Sequence, residues 1–600
     1  MSPEIHLDLN SLRRAYADGS LTPVQVVEKV LRRTNDPKFP HVWIETLSRE
    51  KLLTLAKALP PKPTPELPLY GVPFAIKDNI DLAGIKTTVG CPDFAYAPEK
   101  SAPVVAKLIA AGALPIGKTN LDQFATGLVG TRSPFGICQS VFDAKYISGG
   151  SSSGSAVAVA AGMVTFALGT DTAGSGRVPA AFNNIVGLKP TRGMLSSHGV
   201  FPACRSLDCV SIFAGTCHDA QAILDVAAGF DTGDSYSRSL PQRAPAIPAN
   251  LKFGILPPEQ REFFGDAEAA ELYEQAIARL QACGGEAVEF DYTPFAQAAA
   301  LLYTGPWVAE RRWALGDFFG QHGDKIHPVV REIIGGAKKY DAVAAFDGQY
   351  KLQALAQVVA PVWEKLDVLL LPTTGTTYRI EDVLADPIKL NSHLGYYTNF
   401  VNLLDLSALA LPAGFRRSNG LPFGVTLMAP AFADESLLQI GAKFHQAVGG
   451  KIGVTALNIS EQPLPAKKSS GILLAVVGAH LRGQPLNHQL TSRKAEFVRQ
   501  TRTAPCYRLY ALANTQPPKP GLRRVAEKLP RGIEVEIWAL DEAAFGSFVA
   551  EIPPPLGIGT LELEDGTSVK GFLCEPIGFD SARDITEFGG WRAFRQSLAK

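Results

Sequence analysis

Two clusters of serine and glycine place Ser151 and Ser175 24 residues apart, and either cluster could supply a hydroxyl nucleophile. The first cluster reads SGGSSSGS, a composition that a flexible loop would also have. It runs into AVAVAAGMVTFALGTD, however, and these small apolar residues predict a closely packed helix and strand. The second cluster, DTAGSGR, follows that strand directly, where a short turn can direct backbone N–H groups at a ligand.

A serine nucleophile needs a base, and Lys77 is the local candidate. No histidine lies between His41 and His198, although a more distant one could fold into the site. Lys77 closes the apolar run GVPFAI, and burial of a lysine disfavours its charged form and lowers its pKa. The neutral amine could then accept a proton. The alternatives are that Lys77 reaches the surface or pairs with Asp78.

The elements that must position these groups alternate between strands and a helix. We predict strands at 70–78, 114–120 and 163–171, with a helix at 101–113 between the first two. Such an alternation indicates an α/β fold in which helices cover the sheet. A more helical and more charged region, residues 230–365, is interpreted as an excursion from the same domain.

The last part of the sequence predicts a separate domain. Residues 456–470 have the composition of a linker, with two prolines and paired lysines. Five short strand patterns follow it, with turn residues between them. We therefore divide the chain into a domain at 1–455, a linker at 456–470 and a β-rich α+β domain at 471–600.

The composition excludes several classes of function. Lysine plus arginine and aspartate plus glutamate both number 58 in 600 residues, so the formal charge is zero and we expect neither nucleic acid nor a membrane as partner. The eight cysteines have no metal-ligand spacing, so no metal site is expected. Because the sequence has no signal-peptide pattern or long apolar run, a cytoplasmic location is expected.

The motifs together resemble the amidase signature family of hydrolases. GGSSSGSA followed by GTDTAGSGRVPAA resembles the family's signature, GVPFAIKDNID its lysine strand, and PIGKTNLDQFATG its next landmark. The resemblance covers about residues 5–450 and implies a mixed sheet covered by helices. It also implies Ser175 as nucleophile, Ser151 as a bridging serine after a cis peptide bond, and Lys77 as base. No cofactor is required.

The same resemblance implies an oxyanion hole on the second cluster. The backbone N–H groups of Thr172, Ala173, Gly174 and Ser175 are the expected donors. The family commonly has GGS before the nucleophile, whereas this chain has AGS. Ala173 is compatible with the loop if its φ is negative, and it either narrows the pocket or marks a subfamily.

The segment YTGPWVAERR contains the candidates for substrate binding, Tyr303 and Arg311. On its own this arginine could equally be a solvated helix charge and the tyrosine part of the core. The segment is similar to the allophanate hydrolase subfamily, in which these two positions hold the substrate's carboxylate. The resemblance implies hydrolysis of allophanate (urea-1-carboxylate), and a functional link to urea carboxylase or biuret hydrolase. The alternatives are a broad small-amide amidase, the amidase subunit of a tRNA-linked amidotransferase, and a binding protein with a dead site.

The C-terminal domain is similar to the extra domain of the same subfamily, on the motif VVGAHLRGQPLNHQL. The resemblance implies a γ-glutamyl cyclotransferase-like fold and, in some members, decarboxylation of the first product. His480 and His488 are the candidate proton donors, and His488 is preferred as the general acid. The alternative is a structural domain that holds an assembly while decarboxylation is spontaneous. A homodimer is expected.

Overall fold

A computed structural model describes residues 6–240, 250–461 and 471–598. These residues divide into two compact units. The first unit comprises residues 6–240 and 250–461, and the second unit comprises residues 471–598. Each unit has its own buried apolar core.

Eleven strands of the first unit form one sheet. They are β1 (Trp43–Thr46), β2 (Pro73–Lys77), β3 (Leu114–Thr119), β4 (Phe166–Asp171), β5 (Val186–Lys189), β6 (Cys209–Ala214), β7 (Leu251–Ile255), β8 (Gly285–Glu289), β9 (Val368–Pro372), β10 (Leu406–Phe415) and β11 (Pro422–Pro430). Their order across the sheet is β1-β3-β2-β4-β6-β5-β10-β11-β9-β7-β8. The sheet is mixed, since β2 is parallel to β3 and β4 whereas β4 is antiparallel to β6.

The helices of the first unit include short single turns as well as long amphipathic helices. They are α1 (Leu9–Ala17), α2 (Pro23–Thr34), α3 (Arg49–Ala58), α4 (Pro103–Ala110), α5 (Ser153–Ala160), α6 (Val178–Phe182), α7 (Cys217–Ala227), α8 (Ala267–Ala282), α9 (Thr293–Thr304), α10 (Val308–Ala314), α11 (Phe318–Gln321), α12 (Pro328–Gly335), α13 (Ala342–Val359), α14 (Val362–Lys365), α15 (Ile380–Ala385), α16 (Lys389–Leu394), α17 (Phe400–Leu403) and α18 (Asp434–Val448).

The mixed α/β class predicted from the sequence is confirmed. The predicted strands at 70–78, 114–120 and 163–171 correspond to β2, β3 and β4. The predicted helix at 101–113 corresponds to α4, although it is shorter. The region 230–365 is mostly helical, as predicted. It also contains the strands β7 and β8, which the sequence pattern did not predict because the region is rich in charged residues.

Helix α5 begins in the first serine cluster, is buried along its whole length and is followed by β4, which leads to the second cluster. Its residues are small because backbone from other elements approaches it closely. A side chain at Gly154 would meet the carbonyl oxygen of Val42 at 2.3 Å and the backbone nitrogen of Asn120 at 2.7 Å. The small apolar stretch therefore lets the first serine cluster lie against the sheet, as its composition predicted.

The second unit contains two smaller sheets. Its strands are β12 (Ile472–Val476), β13 (Glu496–Arg502), β14 (Tyr507–Ala511), β15 (Pro520–Arg524), β16 (Glu534–Leu540), β17 (Leu556–Glu562), β18 (Ser568–Cys574) and β19 (Arg583–Asp584), and its helices are α19 (His488–Thr491), α20 (Glu542–Ala550) and α21 (Trp591–Ser597). One sheet has the order β13-β16-β12-β18-β17, and the other has the order β15-β14-β19. The predicted β-rich C-terminal domain is confirmed.

The predicted linker lies partly outside the described residues, which resume at residue 471. Of its described part, Ile459 belongs to the core of the first unit. Glu461 accepts a hydrogen bond from the backbone N–H of Cys217 at 2.8 Å. In the described part of the chain, we find no helix with the length and apolar character of a membrane span.

Candidate active site

The two serines and the lysine singled out in the sequence lie in one hydrogen-bonded row. The Nζ atom of Lys77 is 2.7 Å from the Oγ atom of Ser151, which is 3.0 Å from the Oγ atom of Ser175. The peptide bond between Gly150 and Ser151 is cis. Because a hydroxyl both donates and accepts, the row can carry a proton in either direction.

Lys77 is fully buried at the end of β2. Burial lowers the pKa of its amine to about 7, against the opposing pull of Asp122 and other carboxylates. The alternative partner proposed from the sequence, Asp78, instead forms a buried ion pair with Lys118 at 2.9 Å. Lys77 therefore lacks a paired carboxylate and can act as a neutral base near pH 7.

The loop that carries Ser175 is held by a buried ion pair. The guanidinium of Arg177 donates to both carboxylate oxygens of Asp171, each at 2.9 Å. Burial favours the neutral acid, but Arg177 and the backbone donors outweigh it and keep the pKa of Asp171 below its usual value. Gly174 has a φ of 127°, and a side chain there would collide with Thr398 at 2.5 Å. The turn therefore requires glycine at this position.

The four backbone N–H groups expected to form the oxyanion hole differ in whether they already donate a hydrogen bond. The backbone N–H of Gly174 donates to the carboxylate of Asp171 at 2.9 Å and is thus occupied. In the part of the chain that the structure describes, no acceptor is found for the N–H groups of Thr172, Ala173 and Ser175. Three of the four predicted donors consequently remain free for a ligand oxygen. Ala173 has a negative φ, which its side chain tolerates.

Arg311 and Tyr303 lie close together beside the loop that carries Ser175. The guanidinium carbon of Arg311 is 6.0 Å from the centre of the Tyr303 ring. Tyr303 packs against the cluster that contains Ala173. The Nη1 atom of Arg311 donates to Thr126 Oγ1 at 3.0 Å, and no carboxylate of the described residues lies within ion-pair distance of it. This buried cation is therefore available to an anionic ligand.

The two histidines of the second unit occupy different environments. His488 is exposed at the start of α19. His480 instead lines a cavity, where its ring stacks on Phe572 with 5.1 Å between centroids. Its Nε2 atom is 2.8 Å from Gln489 Oε1, and burial lowers the pKa of His480 to about 4. The cavity thus contains His480, not the residue that the sequence favoured.

Cys217, His445 and Glu461 bring three possible metal-ligand atoms within 4.8 Å of one another. The sequence spacing gave no sign of this group. The carboxylate of Glu461 already accepts the backbone N–H groups of Cys217 and His218 at the start of α7 and is 2.7 Å from Nδ1 of His445. These contacts give the group a structural role, because they attach residue 461 to the first unit.

Three further buried polar residues lie around the row, and of these Thr170 and Asp208 were not predicted from the sequence. Thr170 Oγ1 accepts a hydrogen bond from Lys77 Nζ at 2.7 Å. Arg132 donates to the carbonyl oxygen of Thr126 at 3.0 Å and so fixes the residue that holds Arg311. Asp208 accepts from Thr172, and burial raises the pKa of its carboxyl to about 6. Thr170 could have been found, since it is a polar residue in an otherwise apolar strand.

Two family models match this chain. The amidase model matches residues 25–438, and the model described as "Allophanate hydrolase C-terminal domain" matches residues 472–596. The solved structure of the Kluyveromyces lactis allophanate hydrolase is 42% identical, with a TM-score of 0.83, and the match covers 98% of this chain and 99% of that chain.

Two curated relatives differ in how much of their length is matched. Urea amidolyase of Saccharomyces cerevisiae is 43% identical over 97% of this chain, but the match spans only 33% of that relative. A glutamyl-tRNA(Gln) amidotransferase subunit of Symbiobacterium thermophilum is 35% identical over 73% of this chain and 97% of that relative. This chain spans about a third of the length of the urea amidolyases that it matches. The chain therefore belongs to the amidase family, and within it to the group that carries the allophanate hydrolase C-terminal domain.

Proposed function

We propose that this protein hydrolyses the terminal amide of allophanate, with Ser175 as nucleophile, Ser151 as proton carrier and Lys77 as base. The observation that carries the proposal is the unbroken row from Lys77 Nζ to Ser175 Oγ, with steps of 2.7 and 3.0 Å. The buried Arg311, which has no carboxylate partner among the described residues, supports a substrate that carries a negative charge.

Acylation begins when Ser175 Oγ attacks the carbonyl carbon of the terminal amide. The proton of Ser175 passes to Ser151, whose own proton passes to the neutral amine of Lys77. The same row then returns a proton to the departing nitrogen, which leaves as ammonia. An acyl group with the composition CO–NH–COO⁻ stays on Ser175 as an ester.

Water completes the reaction by attacking this ester. The row takes a proton from the water through Ser151, and Ser175 recovers its own proton as the ester bond breaks. The products of one turnover are ammonia and N-carboxycarbamate. The free N–H groups of Thr172, Ala173 and Ser175 would stabilise the oxyanion in both steps.

A broad small-amide amidase is the alternative, since it would use the same row. The structure favours an anionic substrate over an uncharged one because burial of an unpaired guanidinium is costly unless a ligand compensates it. The arrangement of Arg311 beside Tyr303, next to the loop of Ala173, gives such a ligand a fixed position. The amidase subunit of a tRNA-linked complex is disfavoured because the chain carries the additional C-terminal domain.

Ammonia release from allophanate and from uncharged malonamide distinguishes these two functions. The Arg311→Ala variant should raise KM for allophanate at least tenfold and leave KM for malonamide nearly unchanged, since a charge-assisted contact contributes about 1.5–3 kcal/mol. Arg312→Ala is the matched control, because the neighbouring Arg312 donates to the carbonyl oxygen of Gly316 instead. Equal losses on both substrates would refute the proposed carboxylate contact.

For the second unit we propose a role in decarboxylating N-carboxycarbamate, which yields a second ammonia and two molecules of carbon dioxide. The cavity that His480 lines supports this role, whereas His488, the general acid proposed from the sequence, is exposed. The time course of the second ammonia in His480→Ala and His488→Ala variants tests both residues. An unchanged time course in both would favour spontaneous decarboxylation and a purely structural domain.

We also propose that a urea-carboxylating or biuret-hydrolysing activity supplies the substrate. Relatives named urea amidolyase are about three times as long as this chain, which supports a functional link to a further activity on urea. Coupled assays with each supplying enzyme would show which of them sustains ammonia release.

A further inference from the structure

The segment 203–208, which we name the connecting loop, contacts both the nucleophile turn (residues 171–177) and helix α10. It ends at Asp208, directly before β6. The carboxylate of Asp208 accepts the backbone N–H groups of Ala203 at 2.8 Å and Cys204 at 3.3 Å. One side chain therefore joins the last residue of the loop to its first two.

On one side the connecting loop is bound to the nucleophile turn. The hydroxyl of Thr172 donates to Asp208 Oδ1 at 2.5 Å. Asn402 joins the same two segments, because its Nδ2 atom donates to the carbonyl oxygens of Asp171 at 2.8 Å and Leu207 at 2.9 Å. Since the backbone N–H of Thr172 is one of the expected oxyanion donors that remain free, these contacts orient a group that would act on the substrate.

On the other side the connecting loop is bound to the helix that carries Arg311. The carboxylate of Glu310 accepts the backbone N–H of Ser206 at 2.9 Å and also accepts the hydroxyl of Ser206. The thiol of Cys204 donates to the carbonyl oxygen of Trp307, directly before α10, at 3.4 Å. Because Glu310 precedes Arg311 in α10, these contacts restrict the helical turn from which the guanidinium extends.

We propose that Asp208 and Glu310 are positioning residues, and that the connecting loop between them sets the distance from the oxyanion donors to Arg311. The loop, the nucleophile turn and α10 also pack in one apolar cluster, so none of them can shift alone. The inference rests on the proposed function, since it requires a substrate with the reacting amide at one end and a carboxylate at the other. Asp208 acts on the reacting carbonyl through Thr172, and Glu310 acts on carboxylate binding through Arg311.

The separate effects on kcat and KM test the role of Asp208. Asp208→Asn keeps the shape of the side chain but replaces one acceptor oxygen with a donor. We expect kcat to fall about tenfold for both allophanate and malonamide, with KM nearly unchanged, because a small misplacement can cost up to about 10²-fold in rate. Asp234→Asn is the matched control. Asp234 also accepts backbone N–H groups within a loop, those of Ser197 and Tyr236, but its hydrogen bonds in the described part of the chain lie outside the nucleophile turn.

Thr172→Val separates the hydrogen bond from the charge of Asp208. Valine has the shape of threonine without the hydroxyl, so this variant breaks the contact and keeps the carboxylate. If the two side chains act through one contact, the double variant should lose no more of kcat than the more impaired single variant. Losses that multiply, or an unchanged kcat in either single variant, would overturn the role of Asp208.

Glu310→Gln tests the other end of the connecting loop. One of the two acceptor oxygens becomes a donor, so a contact with Ser206 is lost. We expect KM for allophanate to rise about three- to tenfold, the range for a lost hydrogen bond, and KM for malonamide to stay the same. Equal rises for the two amides, or no rise for allophanate, would overturn the role of Glu310.

A reagent without a carboxylate separates this inference from the proposed function. Phenylmethanesulfonyl fluoride transfers its sulfonyl group to an activated serine with loss of hydrogen fluoride, and mass spectrometry gives the rate at Ser175. Asp208→Asn should slow this reaction about tenfold, whereas Glu310→Gln should not. Sulfonylation of a native chain that does not hydrolyse allophanate would refute the proposed substrate, and a slower rate in Asp208→Asn would still support its positioning role. Equal rates in the native chain and Asp208→Asn, or a native chain that neither reacts nor hydrolyses either amide, would overturn the inference.

Discussion

At the scale of single residues, the chemistry depends on the environment of Lys77. Its amine is buried with only hydroxyl partners, Ser151 and Thr170, at 2.7 Å each. The acidic residue nearest in sequence, Asp78, forms an ion pair with Lys118 instead. The sequence could indicate Lys77, because it ends an apolar run, but it could not decide between a free amine and an ion pair. That choice depends on β3, which supplies Lys118 from a distant part of the chain.

The pH dependence of kcat/KM reports the protonation of Lys77. Because burial lowers the pKa of this amine to about 7, the base form is lost as the pH falls below 7. We expect kcat/KM for allophanate to fall about tenfold for each pH unit below that value. Lys77→Ala should lower kcat by about 10²–10⁴-fold. In this variant the fall of kcat/KM below pH 7, the acidic limb of the pH profile, should be absent. A limb that persists in the variant would assign the titration to another group.

Other residues of the site are defined by tertiary contacts that no local pattern reveals. Arg311 is oriented by Thr126, and Thr126 in turn by Arg132. The resemblance to known amidases indicated Arg311, but its hydrogen-bond partners lie about 185 residues away. Likewise, His480 and His488 lie near the same turn in the sequence, and only the structure distinguishes them, because the ring of His480 stacks on Phe572 inside a cavity.

At the scale of elements, the buried strands β2, β3 and β4 were predicted, whereas the edge strands β8 and β13 were not. β2, β3 and β4 are buried along their whole length and begin with apolar runs, which makes them visible in the sequence. β8 lies at the edge of the large sheet, and each of its residues is partly or fully exposed. β13 is an edge strand as well and is mostly exposed. Their polar sequences resemble loops, so tertiary pairing alone defines them as strands.

The stability of the first unit should be sensitive to the size of residues on α5. Gly154→Ala would bring a methyl group against backbone of Val42 and Asn120, where there is no room for it. We expect a loss of about 1–3 kcal/mol in the free energy of unfolding, measured by urea denaturation. Gly320→Ala is the control, since nothing lies within 4 Å of the added carbon. Equal effects of the two substitutions would contradict the close packing described for α5.

At the scale of the whole molecule, two units with separate cores divide the proposed chemistry. In our proposal the first unit releases ammonia from a carboxylated amide, and the second unit acts on the dicarboxylated product. The neutral charge balance argued against a nucleic-acid partner, and the strand patterns after residue 470 located the change to a β-rich domain. The sequence could not reveal that Phe346 and Tyr350 of α13 are exposed, because the apolar residues of that helix are equally compatible with a buried core.

The central claim is that Ser175 is the nucleophile at the end of the row from Lys77. Ammonia release from allophanate by Ser175→Ala tests it most directly, with circular dichroism and thermal unfolding to establish that the variant is folded. We predict no ammonia above the uncatalysed background, because Ser151 cannot replace the missing hydroxyl while it bridges to Lys77. Ammonia release by the folded variant at a rate near that of the unmodified protein would contradict the account.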